Sequence, residues 1–152
     1  MNLRIKNEGK TSLPGGVEYG KIDETSNHGF DTDQKEYIIR YNEHLGYRYE
    51  VIRKLGKGAF GIVLRVFDHK KKEFVALKIL KNQKRLTKQG IVESKLIEAL
   101  NIKDKEDKKN IVRRLDHFIF RKHLVLTFEL LNVNLYDFIK MNRFRGFNHD
   151  LI

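Results

Sequence analysis

The stretch Gly56-Lys57-Gly58-Ala59-Phe60-Gly61 packs three glycines into six residues between two runs of strand-like residues. Upstream, "YRYEVIRKL" alternates into the glycines; downstream, Ile62, Val63, Leu64, Arg65, Val66 and Phe67 carry the chain out of them. Apolar alternation with a period of two marks a half-buried strand, so the glycines form the reversal between two antiparallel strands. That placement excludes two common uses of clustered glycines. A dinucleotide-binding turn needs a helix directly after its last glycine, and the ATPase phosphate loop ends in Gly-Lys-Ser/Thr. Here a strand follows and no such ending is present. What remains is a hairpin tip without bulky side chains, where the backbone can come close to a ligand.

The rest of the chain fits around that hairpin. After the polar "HKKK", "EFVALKIL" makes a third strand. In "TKQGIVESKLIEALNI", Val92, Leu96, Ala99 and Leu100 recur at i, i+4, i+7 and i+8, which predicts a helix with that face turned inward. "KDKEDKKN" is a charged loop, and "RRLDHFIF" and "HLVLTFEL" are two more strands joined by a tight turn at Arg121-Lys122. "LYDFIKMN" is a short helix with Asn134 as its N-cap. The fold class is therefore α+β, with a five-stranded antiparallel sheet, one helix inserted between the third and fourth strands, and a short second helix. No internal repeat is present.

Residues 1–34 are rich in Gly, Ser, Asn, Asp and Lys, hold the only proline, Pro14, and predict an irregular, partly disordered arm. Within it, "LPGGVEYG" has turn chemistry. Asp31 and Asp33 lack the spaced oxygen ligands of a calcium loop and predict a local acidic turn. Phe30, Tyr37, Ile38, Ile39 and Tyr41 give residues 30–41 more apolar surface than a linker needs, so this stretch is expected to dock on the sheet.

The 152 residues carry 31 Lys and Arg against 20 Asp and Glu, a net charge of +11 concentrated after residue 50. A basic half suits phosphate or nucleic-acid partners. The plainer reading is a lysine-rich solvated surface, and the strand aromatics belong to a core pattern, so no nucleic-acid partner is expected. Absence of cysteine excludes disulfides and thiolate metal sites and fits a reducing compartment. "MNLRIKNEGK" has no apolar signal region, and "LVLTF" is far short of a bilayer span, so no membrane partner is expected. The six histidines are scattered without ligand spacing, and no metal site is expected in this chain.

A lysine follows the hairpin on the third strand, in Val75-Ala76-Leu77-Lys78, seventeen residues after Gly61. Period-two alternation puts Ala76 and Lys78 on one face. That pairs a small residue with a cation. Glu93 lies on the helix in a stripe with Ile97 and Leu100, and an acid facing the sheet needs a buried partner; Lys78 is the expected one. Taken singly, each feature has an ordinary explanation: a plain hairpin, a snorkelling lysine, a solvated acid. In this order and context they match the hairpin loop, strand lysine and helix glutamate with which protein kinases hold ATP.

From Tyr47 onward the sequence resembles the first part of a eukaryotic protein kinase domain, and more narrowly the dual-specificity tyrosine-regulated kinases (DYRK family, CMGC group). "YRYEVIRKLGKGAFGIVLRVFDHK", "VALKILKNQKR" and "LTFELLNVNLYDFIKMNRFRGF" carry the likeness. "HGFDTDQKEYI" resembles the family's acidic homology box, and "LPGGVEYGKIDE" more loosely its accessory region. The resemblance spans residues 28–152 well and 12–27 loosely. It implies a kinase N-lobe with an αC and a short αD helix. It divides the chain into an arm (1–34), a homology-box docking segment (35–46), the N-lobe and hinge (47–131) and the start of a C-lobe (132–152).

By position, the resemblance implies catalytic roles for Lys78 and Glu93. It implies ATP contacts from Leu55, Gly56, Lys57, Gly58, Ala59, Phe60, Gly61, Val63, Ala76 and Lys78. Phe128 resembles the gatekeeper, and Glu129, Leu130 and Leu131 the hinge, with the Glu129 carbonyl and Leu131 N–H bonding adenine and Asn132 at the pocket mouth. It further implies ATP and Mg²⁺ as cofactors, proteins as substrates, and an intracellular place in cytoplasm, nucleus or both. The 152 residues contain no His-Arg-Asp, Asp-Phe-Gly or Ala-Pro-Glu segment. The metal ligands and general base are then expected in a missing C-lobe, this chain being a truncated or split product inactive alone. A non-catalytic binding or regulatory module is the alternative.

Overall fold

The computed structural model describes residues 26–148. The turn expected in "LPGGVEYG" and most of the expected arm lie outside the described residues. The elements are β1 (His44–Leu45), β2 (Tyr49–Lys57), β3 (Gly61–Asp68), β4 (Glu73–Leu80), α1 (Lys84–Lys103), β5 (Arg114–Phe120), β6 (His123–Glu129) and α2 (Leu135–Met141). The strands form one antiparallel sheet in the order β1-β2-β3-β4-β6-β5. The expected element order holds, and the sheet has six strands instead of five. The extra strand, β1, turns back onto β2 through Gly46 and Tyr47, both at positive φ. Two residues are too few to show a periodicity, so sequence patterning passes over it. Arg121 and Lys122, also both at positive φ, make the tight turn between β5 and β6. Asn134 caps α2 by accepting from the Asp137 N–H at 2.8 Å. No helix among the described residues is long and apolar enough to cross a membrane.

The sheet has two differently used faces. Leu64, Val66, Val75, Leu77, Ile79 and Val125 point to one side and form the main core with Leu45, Tyr49, Val51 and Tyr37. On the other side, Leu124 and Leu126 pack with Leu80 and Leu86 beneath α1.

The helix meets the sheet by a face other than the predicted one. Leu86, Gly90 and Ser94, spaced by four, are its buried residues, while Val92 and Leu96 are 67% and 60% exposed. Size decides this, not hydropathy. A Cβ on Gly90 would lie 2.9 Å from Leu124 Cδ2 and 3.1 Å from Leu80 Cδ1, so the missing side chain lets the helix come this close to those leucines.

Residues 26–43 pack onto this lobe, with Tyr37 in the main core. Asp31 and His123 are both buried and meet at 2.8 Å, Nε2 to Oδ1. His123 Nδ1 bonds the Leu80 carbonyl at 2.7 Å, and Asn27 and Asn82 donate to the Asp31 carboxylate at 2.8 and 3.0 Å. Asp31 is thus a buried anchor, where the sequence suggested only a local acidic turn. Arg121 lies 3.6 Å from the centre of the Phe30 ring and donates to Tyr37 Oη, which itself donates to Glu43. Burial, together with that bond to Glu43, raises the Tyr37 hydroxyl well above its ordinary range.

At the opposite end of the sheet, Arg48 forms a fork on Asp68, with bonds of 2.8 and 2.6 Å, and reaches Asp116 at 3.0 Å. Burial acts to raise the Asp68 carboxyl, but Arg48 and the amides of Lys71 and Lys70 outweigh it and hold it below its ordinary range. For Asp31, burial is likewise outweighed, by its bonds from Asn27, Asn82 and His123. A folded value below the unfolded one contributes stability above about pH 4 and loses it as pH falls through the folded value. Urea unfolding midpoints are therefore expected to drop below about pH 4. Arg48→Met should cost about 3 kcal/mol at neutral pH and shrink that acid limb, since Asp68 stays buried without its partner. An unchanged midpoint in the variant would show that the fork is not holding these strands together.

Candidate functional site

The register of three strands gathers the candidate residues. Val63 lies opposite Lys78, and Lys78 opposite Leu126; Arg65 lies opposite Ala76, and Ala76 opposite Phe128. Directly paired residues share a face, so Val63, Ala76, Lys78 and Phe128 all stand on the side away from the main core. Ala76 and Lys78 are half-buried while Val75, Leu77 and Ile79 are buried, as their alternation predicts. An apolar cleft of about 340 Å³ opens on this face. Its walls are Leu55, Ala76, Ile97, Val112, Phe128, Glu129, Leu130 and Leu131. Six of these eight were singled out from the sequence. Ile97 entered there only as a neighbour of Glu93, and Val112, from the connection before β5, shows no sequence signal for the cleft.

Leu55 reaches the cleft because β2 is irregular there: its pairing with β3 shifts register between Lys54 and Gly56. β6 is paired as far as Glu129, and Leu130, Leu131 and Asn132 continue beyond it, Leu131 being 63% exposed. Glu129 is fixed by Arg113, whose N–H donates to its carboxylate at 2.7 Å and whose carbonyl accepts from its N–H at 3.0 Å.

The three glycines of the hairpin are not equivalent. A Cβ on Gly61 would stand 2.1 Å from the Ile79 carbonyl oxygen, so the protein's own backbone requires glycine there. Around Gly56 and Gly58 a Cβ would meet nothing within 4 Å, and neither residue has positive φ. Among the described residues no contact accounts for these two. The tip is tethered by the Gly58 N–H to the Gly61 carbonyl at 2.9 Å and by the Lys81 N–H to the Phe60 carbonyl at 3.0 Å. Ala59 and Phe60 at the tip are exposed. The Lys57 side chain turns away from the cleft to Glu36, at 2.6 Å, where Lys81 also arrives at 3.0 Å. Lys57, and after it Lys81, hold the Glu36 carboxyl below its ordinary range. Glu36 therefore links the docked segment to the glycine hairpin, a role that a single acid in a polar stretch does not reveal.

Lys78 and Glu93 are not paired. Glu93 is exposed and accepts from Gln89 at 2.9 Å, and among the described residues no acid forms an ion pair with Lys78. The reason is the helix face set by Gly90 and Ser94. At 3.6 residues per turn, Glu93 sits about 60° round from Gly90, on the rim of the buried stripe.

Residues 49–150 match the protein kinase domain family. The chain belongs to that family. Its relatives place it among the dual-specificity tyrosine-phosphorylation-regulated kinases. Kinase 4 of that series from Homo sapiens is 43% identical over 90% of this chain, kinase 2 from Drosophila melanogaster 44% over 84%, and human kinase 3 42% over 88%. The chain spans 27%, 18% and 23% of those relatives' own lengths. The antiparallel sheet with α1 against it is the kinase N-lobe, and α2 is a short helix after it.

Proposed function

We propose that this chain is the nucleotide-holding part of a dual-specificity protein kinase, one that transfers phosphate from Mg-ATP to Ser/Thr hydroxyls of proteins and to its own tyrosine. One observation carries the reading: Val63, Ala76, Lys78 and Phe128 line one sheet face beside an apolar cleft, beneath a hairpin with two glycines that no contact among the described residues requires. The cleft suits a flat apolar ring. Leu55 and Val63 would cover the adenine from above with Ala76, and Phe128 would close the back. The Glu129 carbonyl would accept from the base and the Leu131 N–H would donate to it, with Asn132 at the mouth. Backbone N–H groups of Gly56, Lys57, Gly58, Ala59, Phe60 and Gly61 would lie over the phosphates, which absent side chains allow. Lys78 would meet the α- and β-phosphates. A modest rotation of α1 would carry Glu93 to Lys78, fixing the ammonium in place.

Mg²⁺, when bound, neutralises charge developing on the transferred phosphoryl group, and kinases hold it with a catalytic-loop Asn and the Asp of Asp-Phe-Gly. Neither segment is in these 152 residues. These residues alone are therefore expected to bind ATP weakly and to transfer none of its phosphate. In an assay with Mg-ATP and a generic basic protein, incorporation should be at background. Binding of a fluorescent ATP analogue should weaken roughly tenfold in Lys78→Ala, the loss of one charge-assisted contact in a partly open site, and vanish in Ala76→Phe, which fills the cleft. Incorporation that depends on Lys78 would overturn the inactivity. Analogue binding indifferent to both substitutions would overturn the site.

A further inference from the structure

Two histidines and a glutamate, none of them a wall of the nucleotide cleft, meet on the sheet. His44 lies directly opposite Glu50 across the β1–β2 ladder, and Glu50 lies opposite Phe67 on β3. His69, two residues beyond Phe67, returns to the same face. His69 Nε2 is 2.8 Å from Glu50 Oε2, and the two imidazole rings are 5.1 Å apart. One donor atom from each of the three side chains lies within 4.8 Å of the other two. Neither histidine spacing nor a motif reveals this, because 25 residues separate His44 from His69 and only the sheet register joins them. Scattered histidines had argued against any metal site in this chain.

We propose that His44, Glu50 and His69 form a binding site for a divalent transition ion of the zinc type, with water completing the shell. The donor set is two imidazole nitrogens and one carboxylate oxygen, a combination that zinc takes with one position left open. Nitrogen donors favour zinc and its neighbours over magnesium or calcium, which prefer all-oxygen shells. The framework is preformed on two of its three sides. The His69 N–H is fixed to the Arg48 carbonyl at 3.0 Å, and the Phe67 ring packs edge-on against the imidazole at 5.0 Å. Among the described residues Glu50 forms its ion pair with His69, and Arg48 is committed to Asp68 and Asp116. His44 is exposed and Glu50 and His69 are half-buried, so an ion can enter from solvent. Its structural consequence is a clip. β1 pairs with β2 through only two residues, besides the buried Leu45 side chain, and it is the first strand after the docked segment. An ion shared by His44, Glu50 and His69 fastens β1 to both β2 and the end of β3.

The test uses the whole 152-residue chain, stripped of metal with a chelator and titrated with Zn²⁺ against a chromogenic zinc indicator. One equivalent should bind and excess Mg²⁺ should not displace it. His44→Ala and His69→Ala should each weaken binding by roughly tenfold, as loss of one of three ligands requires. His44→Ala is the deciding variant because His44 is exposed on a two-residue edge strand and its removal leaves the core intact, to be checked by circular dichroism without metal. Hydrogen exchange at residues 42–45 should slow on adding Zn²⁺ to the unsubstituted chain and not to His44→Ala. Absence of saturable one-equivalent binding overturns the site, and leaves His69–Glu50 a plain hydrogen-bonded pair. So does a His44→Ala affinity within roughly threefold of the unsubstituted chain, less than one lost ligand can account for.

Discussion

Gly61→Ala is expected to damage the fold, while Gly58→Ala leaves stability untouched and impairs nucleotide binding. A Cβ on Gly61 would sit 2.1 Å from the Ile79 carbonyl and 2.9 Å from Leu80 Cα, both backbone, so no side-chain rotation relieves the overlap. The β3 and β4 strands would have to part at Gly61–Leu80, the first pair of their ladder. Overpacking of a well-filled site typically costs about 1–3 kcal/mol, and a backbone neighbour that cannot yield puts this case at the upper end. For a domain of this size, a loss of about 3 kcal/mol lowers the melting temperature by roughly 10 °C. Among the described residues, its own chain neighbours aside, nothing lies within 4 Å of where a Gly58 Cβ would be, and the melting temperature of Gly58→Ala should match that of the unsubstituted chain. Its cost should appear only when ATP analogue is added. Equal melting temperatures for the two variants would show that the β3–β4 contact is not as close as described. A Gly58→Ala variant with unaltered nucleotide affinity would mean that the hairpin does not cover the phosphates.

Asp31→Ala should release residues 26–43 from the lobe. The carboxylate is buried and takes bonds from Asn27, Asn82 and His123. His123 bridges the two groups, with Nδ1 on the Leu80 carbonyl and Nε2 on the Asp31 carboxylate. Removing Asp31 leaves Nε2 of the buried imidazole without its partner. Breaking one side of a buried pair costs about 3–5 kcal/mol. The loss should be local first: hydrogen exchange at residues 37–41 should rise by orders of magnitude, with β3, β4 and β6 still protected. Slow exchange at residues 37–41 in the variant would show that apolar packing of Tyr37 and Phe30 holds the segment without the pair. Because Glu36 in this segment grips Lys57 of the hairpin, release should also increase exchange at Gly58, one residue from that contact.

Strands with clear alternation, the Arg121-Lys122 turn and the Asn134 cap were legible in the sequence because each depends on neighbours within a few residues. The same locality placed Ala76 and Lys78 on one face. The predicted helix face failed for a physical reason. Hydropathy selected Val92, Leu96, Ala99 and Leu100, whereas close packing selected Gly90 and Ser94, the residues small enough to let α1 reach Leu124 and Leu80. The expected Lys78–Glu93 pair went with that face. Asp31 has one partner four residues away, Asn27, but the two that tie it to the lobe lie 51 and 92 residues away and leave no local signal.

Local chemistry along the chain thus determined which segments become strands, helices and turns, where the glycine hairpin falls, and that a lysine follows it on the third strand. It determined them because backbone geometry and alternation act over a few residues. Tertiary structure alone decided that β1 joins the sheet, which side of α1 meets it, that Asp31 and Glu36 fasten the N-terminal segment, and that His44 and His69 come together. Each of those depends on how closely distant surfaces can approach, and that distance is set by the size and register of partners far apart in the chain.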